Sequence, residues 1–540
     1  MFCVNLARYT VITITRASGF LCIFSVFCLY TSAIAANSIQ TENANIGDTA
    51  WNKFKSPDDE HDMEGYANKD SVNIGGSINF YTNANPSVDS SYALTVYRLG
   101  WYKGAGARRV AGPVSRTSTR QIIPVPDPAT GMVQANWTHP YTLNIPKSWV
   151  SGIYIVTLIG NKTGKGRYIP FVVRDINRPS NYLFQVSTIT WQAYNAWGGK
   201  SLYAYNSDTR PVTSDTRPIP GANVQARKVS FNRPYDDWAG LGQLIDWEIK
   251  MLFFLEREGY DISYQTDTDT HVGNGGLLNH KAILSVGHNE YWSKAMRDNF
   301  ELARAHGAGL GFFGADTCYW QIRMEPASAP LASQQNRTIV GYKGYAATED
   351  PLAKNLITSD NNLVTALWRD PLWANRPENG LVGIMYSFWP VKGDIVTSKS
   401  DPKLANGTPS HWIYTGTGMK IGDTFKGLLG YEADRIFNNG KTPANMKILA
   451  TSDVPATSIE HTEFFYGNPA QPKAHMTIYT KICTAMPCQN PVSTVFATGS
   501  MQWAWGLDNY SNPVNLENPN VKQMTRNVLA RMVNAPLPAK

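Results

Sequence analysis

The chain has 540 residues, of which 49 are Lys or Arg and 42 are Asp or Glu, so its formal net charge is +7 at pH 7. That small positive excess does not indicate a nucleic-acid-binding protein. The length allows about two to four domains with sizeable cores, and the aromatic content of 12% suits core packing first and ligand binding second.

The first 35 residues are predicted to be a secretory signal peptide. Arg8 and Arg16 precede the apolar run "GFLCIFSVFCLY", and Ala33 and Ala35 form a cleavage site of the A-x-A type. The run is shorter than the ~20 residues of a membrane span, so a retained anchor is the weaker interpretation. We therefore expect cleavage after Ala35, no span in the mature chain, and a secreted or periplasmic protein.

Residues 36–64 form an N-terminal extension, and residues 65–175 are predicted to be a β-sandwich domain. Stretches such as "SVNIGGSINFYTN", "SYALTVYRLGWY" and "GRYIPFVVRD" alternate apolar and polar side chains between clusters of Gly, Pro, Asn and Asp. This spacing of short strands favours an antiparallel sandwich of the immunoglobulin-like type. The segment "DINRPSN", residues 175–181, is predicted to be a linker.

After the linker, predicted strands alternate with predicted helices. The strands cover residues 182–189, 260–266, 281–287 and 309–315, and the helices cover residues 241–259 and 293–307. This alternation predicts a parallel sheet with right-handed connections, in an α/β domain that extends over residues 181–540. Residues 330–480 are interpreted as inserted strands and loops, and "NVKQMTRNVLARMVN" as a closing amphipathic helix.

Polar and aromatic side chains follow the carboxyl ends of these strands, which is where open parallel sheets bind their ligands. In strand order, the residues concerned are Tyr194, then Asp267 and Asp269, then His288 and Glu290, then Asp316 and Cys318. We therefore expect a functional site at this edge of the sheet.

The stretch "SVGHNEYWS" contains the most informative pair, His288 and Glu290. Two residues apart at a strand end, they suit a metal ligand beside a general acid or base. The alternative is that Glu290 caps the following helix while His288 bonds to a loop. Tyr194, Tyr203 and Tyr205 are expected near the same edge, and a tyrosinate oxygen is a ligand suited to ferric iron.

Other motifs give weaker signals. Asp267, Asp269 and His271 in "TDTDTH" have the carboxylate pattern of a divalent-cation site in a nucleotide-sugar transferase, but such loops are usually ordinary turns. Cys318 is interpreted as a buried structural cysteine. Cys483 and Cys488 are close enough in sequence to form a disulfide in an oxidising compartment.

The segment from about residue 180 to 325 resembles the N,N-dimethylformamidase large (beta) subunit-like family, on the stretches "TWQAYN", "GGKSLYAYN", "SVGHNEYW" and "FFGADTCYWQIR". The resemblance implies a class I glutamine amidotransferase-like α/β fold and an amidase with one iron ion, held by two tyrosines and one glutamate beside a histidine. Carried over by motif, Tyr194 and Glu290 are metal ligands and His288 is the acid or base. The second tyrosine is Tyr203, with Tyr235 in "RPY" as the alternative.

We therefore predict an exported, metal-dependent hydrolase of the C–N bond of linear amides, with iron as its cofactor and a small molecule, peptide or carbohydrate as its substrate. One alternative is a non-catalytic secreted protein that binds carbohydrate or peptide through its aromatic residues. Another is a glycosyltransferase that uses Asp267 and Asp269.

Overall fold

The computed structural model describes residues 35–207, 225–273, 276–355, 357–397, 411–460, 472–512 and 514–537. Over these residues the protein is a mixed α/β structure with several sheets and few helices. Except for Ala35, the predicted signal peptide lies outside the described residues. Within the described ranges, no helix is both long enough and apolar enough to cross a membrane.

Two sheets form from the N-terminal part of the chain, after a short helix α1 (Ser38–Asn43). Their strands are β1 (Met63–Ala67), β2 (Ser71–Asn73), β3 (Ser77–Ala84), β4 (Ser91–Leu99), β5 (Ala107–Thr117), β6 (Tyr141–Asn144), β7 (Gly152–Gly160) and β8 (Gly166–Arg174). One sheet has the order β1-β3-β6 and the other β2-β8-β7-β4-β5. Buried residues of both sheets, among them Phe80, Leu94, Val156 and Phe171, belong to one hydrophobic cluster.

The strand pairings in these two sheets are antiparallel except for β2 with β8, which is parallel. The alternating pattern of the sequence therefore predicted the strands well. It could not predict the parallel pair, because a three-residue strand carries too little pattern to show its direction.

The remaining strands are β9 (Ser180–Val186), β10 (Lys228–Ser230), β11 (Ile262–Thr266), β12 (His280–His288), β13 (Tyr291–Ser293), β14 (Gly309–Ala315), β15 (Trp320–Glu325), β16 (Thr338–Val340), β17 (Met385–Val396), β18 (Thr424–Arg435), β19 (Lys447–Asp453), β20 (Ile459–Glu460), β21 (Lys473–Ile482) and β22 (Val492–Ala497). The remaining helices are α2 (Thr188–Tyr194), α3 (Leu244–Trp247), α4 (Ile249–Arg257), α5 (Asp267–Val272), α6 (Lys294–Ala305), α7 (Ala346–Glu349), α8 (Pro351–Lys354) and α9 (Pro519–Met532).

The central sheet has seven strands in the order β11-β9-β12-β14-β22-β21-β19. The first five run parallel, as the alternation of strands and helices predicts, and β21 and β19 are antiparallel to their neighbours. Strand β14 begins and ends as predicted, whereas β9 ends at Val186 because α2 already begins at Thr188.

The helix predicted over residues 241–259 is broken into α3 and α4 at Glu248. The side chain of Glu248 is buried and accepts hydrogen bonds from the Ser187 backbone N–H (3.2 Å) and from Trp191 Nε1 (3.0 Å). The carboxyl group of Glu248 thus ties this point of the chain to the start of α2, an interaction that apolar spacing alone does not reveal.

Two further sheets come from the segment that the sequence left least defined. Strands β10, β16, β15 and β13 form one, and the long strands β17 and β18 pair with β20 in the other. The backbone N–H of Asp316, just after β14, donates to Asp434 Oδ1 of β18 (2.9 Å). This contact places β18 at the carboxyl end of β14, beside the predicted site.

The cysteines agree with the sequence prediction. Cys483 and Cys488 form a disulfide, and Cys318 is free and buried.

Candidate active site

Strand β12 ends in a glycine bend that leads into the site. Gly287 has φ +69°, and a Cβ atom there would lie 2.3 Å from Cβ of Trp247, so only glycine fits. Beyond the bend, Glu290 N–H donates to Thr190 Oγ1 of α2 (3.1 Å). The end of β12 is therefore held against the helix that carries Tyr194.

The alternative role of Glu290 as a helix cap is wrong. Helix α6 is capped by Ser293, whose Oγ accepts a hydrogen bond from the Met296 N–H (3.2 Å). Because Ser293 supplies the cap, the carboxylate of Glu290 bonds to other side chains.

Tyr194, Tyr203 and Glu290 come together in one cluster, in which Glu290 is buried and the two tyrosines are partly buried. Tyr194 Oη donates to Glu290 Oε2 at 2.8 Å, and Tyr203 Oη lies 2.7 Å from Glu290 Oε1 and 2.8 Å from Tyr194 Oη. Burial, reinforced by the charge of Glu290, raises the pKa of both tyrosines well above 10, so both phenols are protonated and share the carboxylate.

Tyr235, the alternative second tyrosine, lies elsewhere. Its ring packs against Trp191 with centroids 6.1 Å apart, and it lines a small separate cavity with Asp70 and Arg337. Of the two tyrosines that the sequence left open, Tyr203 is the one beside Tyr194 and Glu290.

His288 lies among three carboxylates. Its Nε2 is 3.3 Å from Glu290 Oε2, 3.3 Å from Glu432 Oε2 and 3.7 Å from Asp316 Oδ2, and its Nδ1 is 3.2 Å from Gln243 Oε1. Burial lowers the pKa of His288, but the three carboxylates outweigh burial and raise that pKa well above 6.5. The imidazole is therefore protonated at neutral pH and can act as a proton donor.

Glu432 is one of the site residues that sequence reasoning missed. It lies on β18, in the segment 330–480, and reaches the site because β18 passes the end of β14. Its side chain converges with those of His288 and Asp316. One ring nitrogen of His288 and one carboxylate oxygen from each of Asp316 and Glu432 lie within 4.8 Å of one another. Burial and the charges of Glu290 and Glu432 raise the pKa of Asp316 well above 3.8. No sequence motif marks Glu432, since "GYEADR" shows only the alternation of a strand.

Tyr194, Tyr203, Glu290, Asp316 and Glu432 line a cavity of about 580 Å³, and His288 lies directly behind these carboxylates without lining the cavity itself. Its charged lining residues are Glu290, Asp316, Glu432 and Lys343. The aromatic lining residues, besides Tyr194 and Tyr203, are Tyr205, Tyr319, Trp320, Tyr386, Trp389 and Tyr431. A volume of this size is typical of a small-molecule site.

Lys343 is buried at the wall of this cavity. Its Nζ donates to the Leu202 carbonyl (3.2 Å) and lies 3.3 Å from the ring centroid of Tyr203. Burial lowers the pKa of Lys343 to about 7, against the opposing effect of Glu290 and Asp316. The ammonium of Lys343 therefore makes a cation–π contact with Tyr203, one of the two candidate ligand tyrosines.

The other sequence candidates bind protein groups. Asp269 pairs with Arg174 (2.7 Å) and accepts from Ser71 (2.7 Å), and Asp267 accepts from Gln185 (2.7 Å). His271 Nδ1 lies 2.7 Å from Ser293 Oγ. None of these three is among the residues that line the cavity. Cys318 is buried beside the guanidinium of Arg297 (3.4 Å), and burial raises the pKa of its thiol to about 12.

Comparison with known proteins identifies a family and a relative that this chain resembles. The family described as "N,N-dimethylformamidase beta subunit-like, C-terminal" matches residues 93–516, a range that contains every residue of the cluster and the cavity. The N,N-dimethylformamidase beta subunit of Alcaligenes sp. is 26% identical over 353 residues. That alignment covers 62% of this chain and 42% of the relative, so the chain spans less than half of the relative's length.

Proposed function

The chain belongs to the N,N-dimethylformamidase beta subunit-like family, and from this premise we propose that it is an iron-dependent hydrolase of the C–N bond of linear amides. The observation that carries the proposal is the cluster of Tyr194, Tyr203 and Glu290, whose oxygens approach each other to 2.7–2.8 Å in the wall of a cavity.

The residues of this cluster fit an iron ion. Two phenol oxygens and a carboxylate are hard ligands, and their mutual distances are close to the spacing of about 3 Å between neighbouring ligands around a small cation. Because burial raises the pKa of both phenols, a cation is what would make their ionised forms favourable. Tyr194, Tyr203 and Glu290 would therefore hold the ion.

An iron ion bound there would polarise the amide carbonyl and lower the pKa of a water molecule. The remaining steps use the protein's own groups. His288 carries a proton on Nε2, and its neighbours Glu432 and Asp316 keep the imidazole charged. It delivers this proton to the amide nitrogen as the C–N bond breaks, and the adjacent carboxylates replace it with the proton released by water.

Two finer aspects of the fold are part of the proposal. The two N-terminal sheets, which share one core, are proposed to form an immunoglobulin-like β-sandwich. The α/β part around the seven-stranded sheet is proposed to be of the class I glutamine amidotransferase-like type, which the parallel strands β11, β9, β12 and β14 support.

Export after cleavage at Ala35 is also proposed, and the Cys483–Cys488 disulfide supports an oxidising compartment. N-terminal sequencing of exported protein that still retains Met1 would refute the cleavage.

Metal analysis of the purified protein tests the proposed function. We expect about one iron per chain with a tyrosinate charge-transfer absorption, and hydrolysis of a simple N-alkylamide. Glu290→Gln should lose the metal, because glutamine keeps the shape but removes the charge that holds a hard cation. Glu517→Gln, which alters a surface glutamate paired with Lys522, should retain it.

The second ligand can be tested in the same way. Tyr203→Phe should lose most of the iron and shift the absorption, whereas Tyr235→Phe should leave both unchanged. A wild-type protein without metal, or full metal content in Glu290→Gln, would show that the site is not an amidase centre and would favour a non-catalytic binding protein. The glycosyltransferase alternative has little support, because Asp267 and Asp269 are bound to protein groups.

A further inference from the structure

Two neighbouring strands supply an aromatic wall to the cavity. Trp389 lies on β17 and Tyr431 on β18, and both line the cavity together with Tyr386 of β17. The rings of Trp389 and Tyr431 meet almost at right angles, with an interplanar angle of 85° and centroids 6.0 Å apart. Tyr431 is 41% exposed and Trp389 is half-buried, so solutes can reach this corner. We call these three residues the β17–β18 wall.

Carboxylates lie beside this wall. Glu432 directly follows Tyr431, and Glu432 and Asp316 line the same cavity as Tyr386. Among the described residues that line the cavity, three are carboxylates and one, Lys343, is a base. With His288, which contacts the same three carboxylates from behind, acidic residues still outnumber basic ones by three to two. The ammonium of Lys343 lies over the rings of Tyr203 and Trp320, at 3.3 and 5.1 Å from their centroids.

Perpendicular aromatic faces beside negative charges are the chemistry that binds organic cations. A quaternary or alkylated ammonium group offers C–H bonds with partial positive charge to two ring faces at once, while its net charge is favoured by nearby carboxylates. The cavity is also much larger than a one-carbon amide requires, since volumes of this order hold drug-sized ligands. The charge and the shape of the site therefore agree.

We propose that the β17–β18 wall binds a cationic alkylammonium group, so that the substrates are amides that carry such a group. The identification of the occupant as a substrate rests on the proposed amidase function, whereas the binding of the cation does not require the metal. A carbohydrate fits less well, because a sugar ring stacks on an open aromatic platform and the 85° corner offers none.

The experiment compares two probes of nearly equal shape. Choline and its uncharged carbon analogue 3,3-dimethylbutan-1-ol are titrated by calorimetry into the purified full chain, both as isolated and after removal of metal with a chelator. We expect choline to bind about tenfold more tightly than the neutral analogue in both forms, in line with a desolvated cation–π site.

Variants locate the binding. Trp389→Leu should weaken choline binding about tenfold and leave the neutral analogue almost unchanged. The matched control is Trp238→Leu, because Trp238 is 46% exposed and does not line the cavity. Tyr431→Leu is a second variant of the wall in case Trp389→Leu fails to fold, which thermal unfolding will show.

Equal binding of the two probes would overturn the inference and leave an apolar pocket. Absence of choline binding, or equal effects of the Trp389 and Trp238 variants, would overturn it as well. Choline binding without iron or amide hydrolysis would support the cation site and remove the amidase proposal. Iron and amide hydrolysis without choline binding would support the amidase proposal and overturn the cation site.

Discussion

His288 shows how a single residue can be assigned by its surroundings. It is the neighbour of Glu290 rather than a member of the phenol and carboxylate cluster, and Gln243 orients its ring through Nδ1. We expect His288→Ala to keep the iron and to lower the turnover rate by about 10²- to 10⁴-fold, the usual contribution of a proton donor. Metal content and turnover number, measured on the same preparation, test this.

The matched control for that variant is His271→Ala, because His271 bonds to Ser293, whereas His288 contacts Glu290, Asp316 and Glu432. It should retain both metal and activity. Loss of iron in His288→Ala would instead make His288 a ligand, and unchanged turnover would exclude it as the proton donor.

Glu248 gives a prediction about pH. Burial raises the pKa of its carboxyl from 4.5 to about 8, only partly offset by its hydrogen bonds to Ser187 and Trp191. The folded state therefore binds this proton more tightly than the unfolded state. The contribution of Glu248 to stability is greatest below pH 4.5, falls by about 1.4 kcal/mol per pH unit up to about pH 8, and is constant above.

Glu248→Gln removes this dependence while its side-chain oxygen still accepts the bonds from Ser187 and Trp191. Urea unfolding at pH 5 and pH 8 should show a smaller loss of stability for this variant than for the wild type. Glu517→Gln should behave like the wild type, and an identical pH dependence in all three proteins would contradict the prediction.

At the residue level, the sequence predicted more of the cluster than of the cavity. Tyr194, His288 and Glu290 follow strands whose pattern was clear, so their common edge was predictable. Asp316 was predicted for the same reason. Glu432 was not predicted, because it lies on β18, an antiparallel strand whose contact with the end of β14 has no local sequence pattern. Whether Tyr203 or Tyr235 meets Glu290 depends on the path of a loop, which sequence spacing does not determine.

Helix α6 allows a test at the level of one element. Ser293 caps its N-terminus by accepting from the Met296 N–H, and the same oxygen contacts His271. Ser293→Ala should lower the free energy of unfolding by about 1 kcal/mol, because one buried N–H at the helix start loses its acceptor. Ser293→Thr, which keeps a hydroxyl, should lose clearly less in chemical unfolding. Equal losses would show that the cap contributes little.

At the level of elements, periodic strands and helices were predictable and interrupted ones were not. The predicted helix over residues 241–259 had correct apolar spacing, yet the helix is interrupted at Glu248. The side chain of Glu248 accepts hydrogen bonds from Ser187 and Trp191 at the start of α2 and within it. Residues 330–480 were left undefined because long strands with irregular register, such as β17 and β18, do not alternate strictly. These strands carry both Glu432 and the β17–β18 wall.

At the scale of the whole molecule, a buried ion pair joins distant parts of the chain. Arg98 of β4 donates to Glu256 of α4 at 2.7 and 2.9 Å, and Asn43 and Tyr264 also bond to this carboxylate. Both charged side chains are fully buried. The elements α1, β4, α4 and β11 therefore meet at Glu256, within the compact unit formed by Asn37–Lys540.

Arg98→Met should lower the free energy of unfolding by about 3–5 kcal/mol, because it leaves the carboxylate of Glu256 buried and unpaired. The double variant Arg98→Met, Glu256→Leu should lose less, since it removes both charges. Urea unfolding followed by tryptophan fluorescence measures both. Additive losses in the double variant would contradict a direct pair.

Strand β22 lies between β14 and β21 in the central sheet, although it follows β14 in the sequence by about 180 residues and is therefore synthesised much later. At ~5 to 20 residues per second, a ribosome needs about 10 to 40 s to supply it. Throughout that interval the nascent chain carries β14, "GLGFFGA", with one open and apolar edge. An unpaired edge of this kind recruits other strands. A chain that lacks β22 keeps this edge of β14 open, so we expect truncations before Val492 to be found in the insoluble fraction.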